Sequence, residues 1–250
     1  MSDRPKVLTI LTLDTKELEG RFIKECLEER GLEVYQMDAS FRRRDESEAE
    51  IPPERIAEAS GMSMEDIRAL NHEGEMLEIM TVGAVRCALD LDRRVGLSGI
   101  LAAGGSLGTD LGTAVMRAFP IGLPKVMIST MASGMTRPFV GTKDILMMPS
   151  VCDIAGLNTI TRSVLRNGAL ALAGMARGYA PAGPSGKPLI AISTLGATEK
   201  CCNAIRKALE ARGCEVMVFH TQGIGGVAMD EAVREQNVTV FDEPVKKIVA

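Results

Sequence analysis

"GILAAGGSLGTDLGTAVMRAF", residues 99–119, decides the fold. An apolar run ends in a glycine pair, and small and apolar residues then recur at helical spacing. A strand that turns through glycine into a helix is the building unit of a parallel α/β sheet, and its turn lies where such sheets bind ligands. Two chemistries share this spelling. Gly104 to Gly108 reads G-x-S-x-G, the pattern of a hydrolase nucleophile elbow with Ser106 as nucleophile. The same glycine turn at a helix N-terminus is a cradle for phosphate, because free backbone N–H groups point at the ligand.

Outward from this unit the pattern repeats. Apolar, β-branched runs at 7–12, 32–38, 124–130, 189–194 and 215–220 alternate with helix-periodic segments such as ELEGRFIKECLEERG and the stretch from Ser63 to Asp92. Ser63 with Asp66 reads as a capping box opening one long helix, and Gly31 and Gly213 as helix stops. The alternation predicts an α/β chain: a Rossmann-like parallel-sheet domain followed by the start of a second, similar α/β domain.

The similarity of the two is visible in the sequence. Displaced by 182 residues, the segment from Val7 to Asp38 lies without gaps over that from Leu189 to His220, so that Thr12-Leu13 meets Thr194-Leu195 and Arg30-Gly31 meets Arg212-Gly213. Gly, Pro and Ser concentrate at the junction, which predicts a nucleotide-binding domain at 1–180, a linker at 181–188 and a partial domain at 189–250. The last part is short of the ~100–150 residues of an independent domain, so it is expected to pack on the first or to be completed by a separate chain.

Composition removes several classes. Of 250 residues 46% are hydrophobic, ample for a packed core, while 29 basic against 33 acidic side chains leave no field for nucleic acid or anionic membrane. Aromatic residues are only 3%, too few for a base-stacking platform. No 18-residue apolar run occurs, which points to a cytoplasmic chain without a membrane span. Six cysteines without a C-x-x-C pair, beside two histidines, do not make a zinc site. Cys26 and Cys87 read as buried apolar residues, and a helix is expected to turn one of Cys201 and Cys202 inward.

Every polar cluster follows a strand. Thr12, Asp14, Thr15 and Lys16 follow the first; Gly104, Gly105 and Ser106 follow the third. The long segment from Ser129 to Asp144 follows the fourth and is dense in hydroxyls, glycines and cations. Hydroxyls and backbone N–H groups donate to phosphate oxygens, Arg137 or Lys143 offsets their charge, and Asp14 or Asp144 can hold Mg²⁺ directly or through water. The Arg42–Arg44 run reads as solvated. A hydrolase would need a base for Ser106, from His72 or His220, with Asp144 or Asp153 behind it. Neither a Walker A motif nor a clean G-x-G-x-x-G is present.

At "LTLDTK", "GGSLGT" and "PIGLPKVMISTMASGMTRPFVGTKDILMMPSVCDIAGLN" the chain resembles the uncharacterised protein family that includes the tomato mosaic virus resistance protein. The resemblance implies a two-domain α/β protein, often a dimer or other homo-oligomer, whose first domain binds ATP with Mg²⁺. It carries the contacts to Thr12, Asp14, Thr15, Lys16, Gly104, Gly105, Ser106, Ser129, Thr130, Ser133, Gly134, Gly141, Thr142, Asp144, Asp153 and Asn158. Leu11, Glu17 and Leu107 stand where the family pattern has glycine. The expectation is therefore an ATP-binding protein of unassigned reaction, with an interaction scaffold that has lost the nucleotide, and a Ser106 hydrolase, as alternatives.

Overall fold

The computed structural model describes residues 4–42, 46–181, 183, 186–236 and 239–241. The chain divides into two compact units, Met1–Pro181 and Ala182–Ala250.

In the first unit the elements run β1 (Lys6–Leu11), α1 (Leu13–Glu28), β2 (Glu33–Asp38), α2 (Pro53–Ser60), α3 (Met64–Ala69), α4 (Glu73–Val95), β3 (Gly99–Gly104), α5 (Ser106–Arg117), β4 (Lys125–Ser129), α6 (Arg137–Val140), β5 (Leu146–Pro149) and α7 (Thr159–Gly178). The five strands form one parallel sheet in the order β2-β1-β3-β4-β5. Both faces are covered, which is why the central strands read as unbroken apolar runs rather than as alternation. On one face Leu8, Ile10, Ile100 and Ala102 pack with Ile56, Ile67, Met80 and Leu111 from α2, α3, α4 and α5. On the other, Val7, Leu101, Val126 and Ile128 pack with Ile23 and Leu27 of α1 and Leu165, Ala169 and Leu172 of α7.

The outer edge of β2 is not bare. Ile51 bridges Met37 in parallel, its amide donating to Gln36 O at 3.0 Å and its carbonyl accepting from Asp38 N at 3.0 Å. Glu50 finishes the seal, taking the Gln36 amide at 2.8 Å and the Lys24 ammonium at 2.7 Å.

The second unit carries β6 (Leu189–Thr194), a 3₁₀ turn at Gly196–Thr198, α8 (Glu199–Glu210), β7 (Glu215–His220), α9 (Gly225–Gln236) and β8 (Thr239–Phe241), with the parallel order β7-β6-β8. Ile190, Ile192 and Cys202 pack toward α8, and Ala191 and Met229 toward α9. The repeat is thus structural: β2 and β7 coincide at the 182-residue displacement, and both strand orders begin outward and then cross back past the first strand. Gly31 and Gly213 end the equivalent helices with φ of 74° and 85°, a left-handed conformation that costs glycine little.

Three expectations change. The single helix expected from Ser63 to Asp92 is two, because Leu70 is extended and Asn71-His72, poor helix formers, interrupt it. Ser63 does accept the Asp66 amide, but it opens only the six-residue α3. The segment after Ser129 holds α6 and a fifth strand, β5, that its half-exposed Leu-Met-Met-Pro sequence did not announce. Cys26, Cys87 and Cys202 are buried and Cys201 is exposed, as the periodicity requires.

Candidate functional site

The strand order sets the position of the site. From β1 the chain moves out to β2 and then returns to β3 on the other side, so the loops leaving β1 and β3 diverge and open a crevice at their carboxyl ends. A cleft of about 180 Å³ lies there. Thr12, Asp14, Thr15 and Lys16 from the β1 loop, Ser40, Phe41 and Arg42 from the β2 loop, and Gly105, Ser106, Leu107 and Gly108 from the β3 loop line it.

Asp38, fully buried at the end of β2, holds two of these loops together. Its Oδ1 accepts the amides of Leu13 and Ser40, each at 3.0 Å, and the Ser40 hydroxyl; its Oδ2 accepts the Ser47 hydroxyl at 2.8 Å. The Ser40 hydroxyl oxygen in turn accepts the Asp14 amide at 3.0 Å. The first amides of α1 are therefore consumed inside the protein. Lys16 has non-helical angles (φ −133°, ψ 34°), so Leu13 to Lys16 form a separate turn facing the cleft before the helix proper begins.

The start of α5 is the opposite case. Its N-cap is Gly105, which offers no side chain, and among the described residues the amides of Ser106, Leu107 and Gly108 have no acceptor. Three N–H groups with the positive end of a twelve-residue helix behind them form a seat for an anion. The turn that makes it needs glycine at 104, where a Cβ would come within 2.9 Å of Gly108 Cα. Lys16, half-buried and without an ion pair among the described residues, supplies the cation. Arg42 lies 5.8 Å from the Phe41 ring and is bound to Glu73 at the start of α4. Asp14 is the carboxylate in the lining, 3.3 Å from the Thr15 hydroxyl.

The structure brings together only part of the expected set. Thr12, Asp14, Thr15, Lys16, Gly105 and Ser106 line the cleft, Gly104 underlies it, and Thr130 adjoins it, its amide donating to Gly104 O at 3.2 Å. Ser129 is buried, spent on the Thr109 hydroxyl at 2.6 Å and the Met131 amide at 2.9 Å. Ser133, Gly134 and Arg137 are exposed and outside the lining, and Gly141 and Thr142, half-buried, are outside it too. Asp144 sits at the far end of the sheet, accepting from Lys125 Nζ and Gly122 N, each at 2.8 Å.

The reason is topological. A connection between two parallel strands must carry the chain from the carboxyl edge back to the amino edge, so a 129–144 crossover cannot keep both ends at one site. Its middle lies along α5, where the Arg117 guanidinium donates to the carbonyls of Pro138 and Phe139. Asp153 is exposed after β5, and Asn158 caps α7, accepting the Ile160 and Thr161 amides at 2.9 and 3.0 Å. Conversely, Ser40 and Arg42 were not expected in the lining. The signal for them was Asp38-Ala39-Ser40 directly after an apolar strand, an arrangement that hydrogen-bonds its own backbone. Arg43 and Arg44 lie outside the described residues.

Among the described residues of the first unit, no imidazole lines the cleft beside Ser106. Ser106 is exposed at the first position of α5, and among the described residues its hydroxyl makes no hydrogen bond. His72 is the N-cap of α4, and the His220 ring accepts the Gln222 amide at 3.3 Å within the second unit. The described residues contain no cluster of three or more metal-ligating side chains and no helix long and apolar enough to cross a membrane.

Residues 5–181 match the N-terminal domain, and residues 187–248 the C-terminal domain, of the uncharacterised protein family UPF0261. A UPF0261 protein of Clostridium tetani is 42% identical over 229 residues, covering 92% of this chain and 57% of the relative. The ToMV resistance protein Tm-1(GCR237) of Solanum lycopersicum is 32% identical over 258 residues, covering 93% of this chain and 34% of that protein. The chain thus spans less than two thirds of the length of these relatives. Among solved structures, the UDP-GlcNAc 2-epimerase from Neisseria meningitidis bound to UDP-GlcNAc shares 8% identity at a TM-score of 0.35, covering 95% of this chain and 72% of that one.

Proposed function

The chain belongs to the uncharacterised protein family UPF0261, and from that membership together with the cleft we propose that its first unit binds ATP with Mg²⁺. One observation carries the reading: the three open amides of Ser106, Leu107 and Gly108 lie in the same cleft as Thr12, Asp14, Thr15 and Lys16, at the crossover between β1 and β3. Phosphate oxygens take the amides and the Thr12 and Thr15 hydroxyls, and Lys16 offsets their charge.

The donor set fits the magnesium complex of a polyphosphate. A single carboxylate, Asp14, suffices where phosphates and water fill most of the coordination sphere, and bound Mg²⁺ supplies neutralisation of phosphate charge. The cleft is smaller than the ~300–1,000 Å³ of a pocket that encloses a whole ligand, so it seats the phosphates while the nucleoside extends past Leu107 and Arg42. The reading assigns binding, not turnover. It places the protein in the cytoplasm, as a two-domain homo-oligomer whose second unit is open to completion by further polypeptide.

A second reading, an interaction scaffold without nucleotide, is favoured by Leu107 in the lining and by the Arg42–Glu73 pair, which occupies a cation beside the seat. Calorimetric titration with ATP, with and without Mg²⁺, beside an ester-hydrolysis control, separates the readings. Micromolar Mg²⁺-dependent binding that Lys16→Ala weakens supports the proposal. Absence of binding favours the scaffold, and ester turnover abolished by Ser106→Ala would restore the hydrolase.

A further inference from the structure

The 182-residue repeat extends to a pair of concavities, one in each unit. In the first unit Leu13, Glu17, Arg21, Lys24 and Gln36 line a hollow between α1 and β2. In the second, Leu195, Glu199, Asn203, Arg206 and Val218 line one between α8 and β7, each residue the counterpart of the one before it at the same displacement. The two differ in what closes them. In the first, the segment Glu46–Ala49 forms the outer wall, Ile51 pairs with the β2 edge, and Glu50 joins Lys24 to the Gln36 amide. In the second, nothing among the described residues takes that place.

The edge of β7 is accordingly open. Glu215 N donates to Pro188 O as Glu33 N donates to Pro5 O, so the strands have the same side inward, and Val218 and His220 face outward as Gln36 and Asp38 do. The Val218 N–H and C=O have no partner among the described residues, and its side chain is 45% exposed, where Gln36 is 9%. Arg206, in the place of Lys24, has folded back on its own helix to Glu210 at 2.9 and 3.1 Å. Unpaired strand edges of this kind recruit another strand.

We propose that the β7 edge and the hollow beside it dock an extended segment of another polypeptide that carries a carboxylate immediately before an aliphatic residue. The first unit supplies the template in Glu50-Ile51. The carboxylate takes Arg206 and the Val218 amide, the following residue pairs with the strand, and Arg206 leaves Glu210 to do so. This inference is independent of the nucleotide reading.

The probe is the chain's own closing segment as a free peptide, Glu-Ser-Glu-Ala-Glu-Ile-Pro-Pro (residues 46–53), titrated into the ¹⁵N-labelled full chain. The expected result is submillimolar binding that shifts the Val218 and His220 amides, weakens about tenfold or more in Arg206→Glu, survives in Arg206→Lys, and is lost when the peptide carries Lys in place of the Glu before Ile. Circular dichroism confirms that both variants fold. Failure to bind, binding indifferent to Arg206→Glu, or shifts confined to α1 and β2 would overturn it. Shifts of the β7 amides that depend on protein concentration without peptide would overturn it in favour of a second copy.

Discussion

The buried carboxylate of Asp38 accepts the amide of Leu13 at 3.0 Å, so the end of β2 and the start of α1 are one rigid corner. Ser40 and Ser47 hang on the same carboxylate. Asp38→Ala leaves buried amides without acceptors and is expected to cost about 2–4 kcal/mol in urea unfolding. ATP affinity should fall with it, although Asp38 does not line the cleft. Asp38→Asn keeps one acceptor, and its smaller loss is the control.

Asp14 and Asp144 should separate in opposite directions. Lys125 is buried and its ammonium is satisfied by Pro120 O, Leu123 O and Asp144. Asp144→Ala removes the countercharge and is expected to cost about 2–4 kcal/mol while leaving the Mg²⁺ dependence of ATP binding intact. Asp14→Ala, at an exposed position, should reverse the pattern: stability within about 0.5 kcal/mol of the parent, and Mg²⁺ dependence lost. Paired denaturation and calorimetry on the two variants give the answer.

The glycine turn gives a third contrast. A Cβ at Gly104 meets the Gly108 backbone at 2.9 Å, whereas one at Gly105 meets only Thr130 Oγ1, at 3.8 Å. Gly104→Ala must displace the start of α5 and should lower both melting temperature and ATP affinity. Gly105→Ala should fold normally, and any effect it has should be on affinity.

Thiol reactivity follows burial. Burial pushes the Cys87 thiol above the ordinary range, and does the same at Cys26 against an opposing pull from Arg166. At pH 8 Cys201, exposed, should therefore alkylate well before either, as mass spectrometry of the labelled peptides will show. The linkage has a definite sign. A thiol with a raised folded pKa stays protonated in the native state after the unfolded chain has ionised, so stability is level below the ordinary thiol pKa of about 8.5 and declines as pH rises through it.

Much of this architecture is written in local sequence. Strands buried on both faces, such as Ile100 to Ala103, are continuous apolar runs, and helix stops such as Gly31 need a backbone only glycine adopts freely. β5 was illegible because its edge position leaves Leu146 and Pro149 exposed, so no buried face imposes a pattern. At the candidate site, Thr12 and Gly105 each directly follow a strand, and adjacency in sequence there is adjacency in space, which brings both into one cleft. Asp144 was misplaced because its partner Lys125 stands at the other edge of the sheet, a fact of crossover geometry rather than of composition. Arg42 is solvated, as its charged run suggests, and what composition does not reveal is that Asp38 folds the β2 loop so that this exposed residue also borders the cleft.

The packing of α1 against α7 bears on how the protein is made. Glu19, buried under α7's leading loop, accepts the amide of Gly156, 137 residues later, and Arg177 near the end of α7 donates to the carbonyl of Arg30. During synthesis α1 leaves the ribosome early, yet the residues that cover it come last in the unit. At about 5–20 residues per second, roughly 10–30 s pass with the Phe22, Ile23 and Leu27 face uncovered. Nascent chains stalled before Leu165 should bind chaperone through that face, and release it once α7 has emerged.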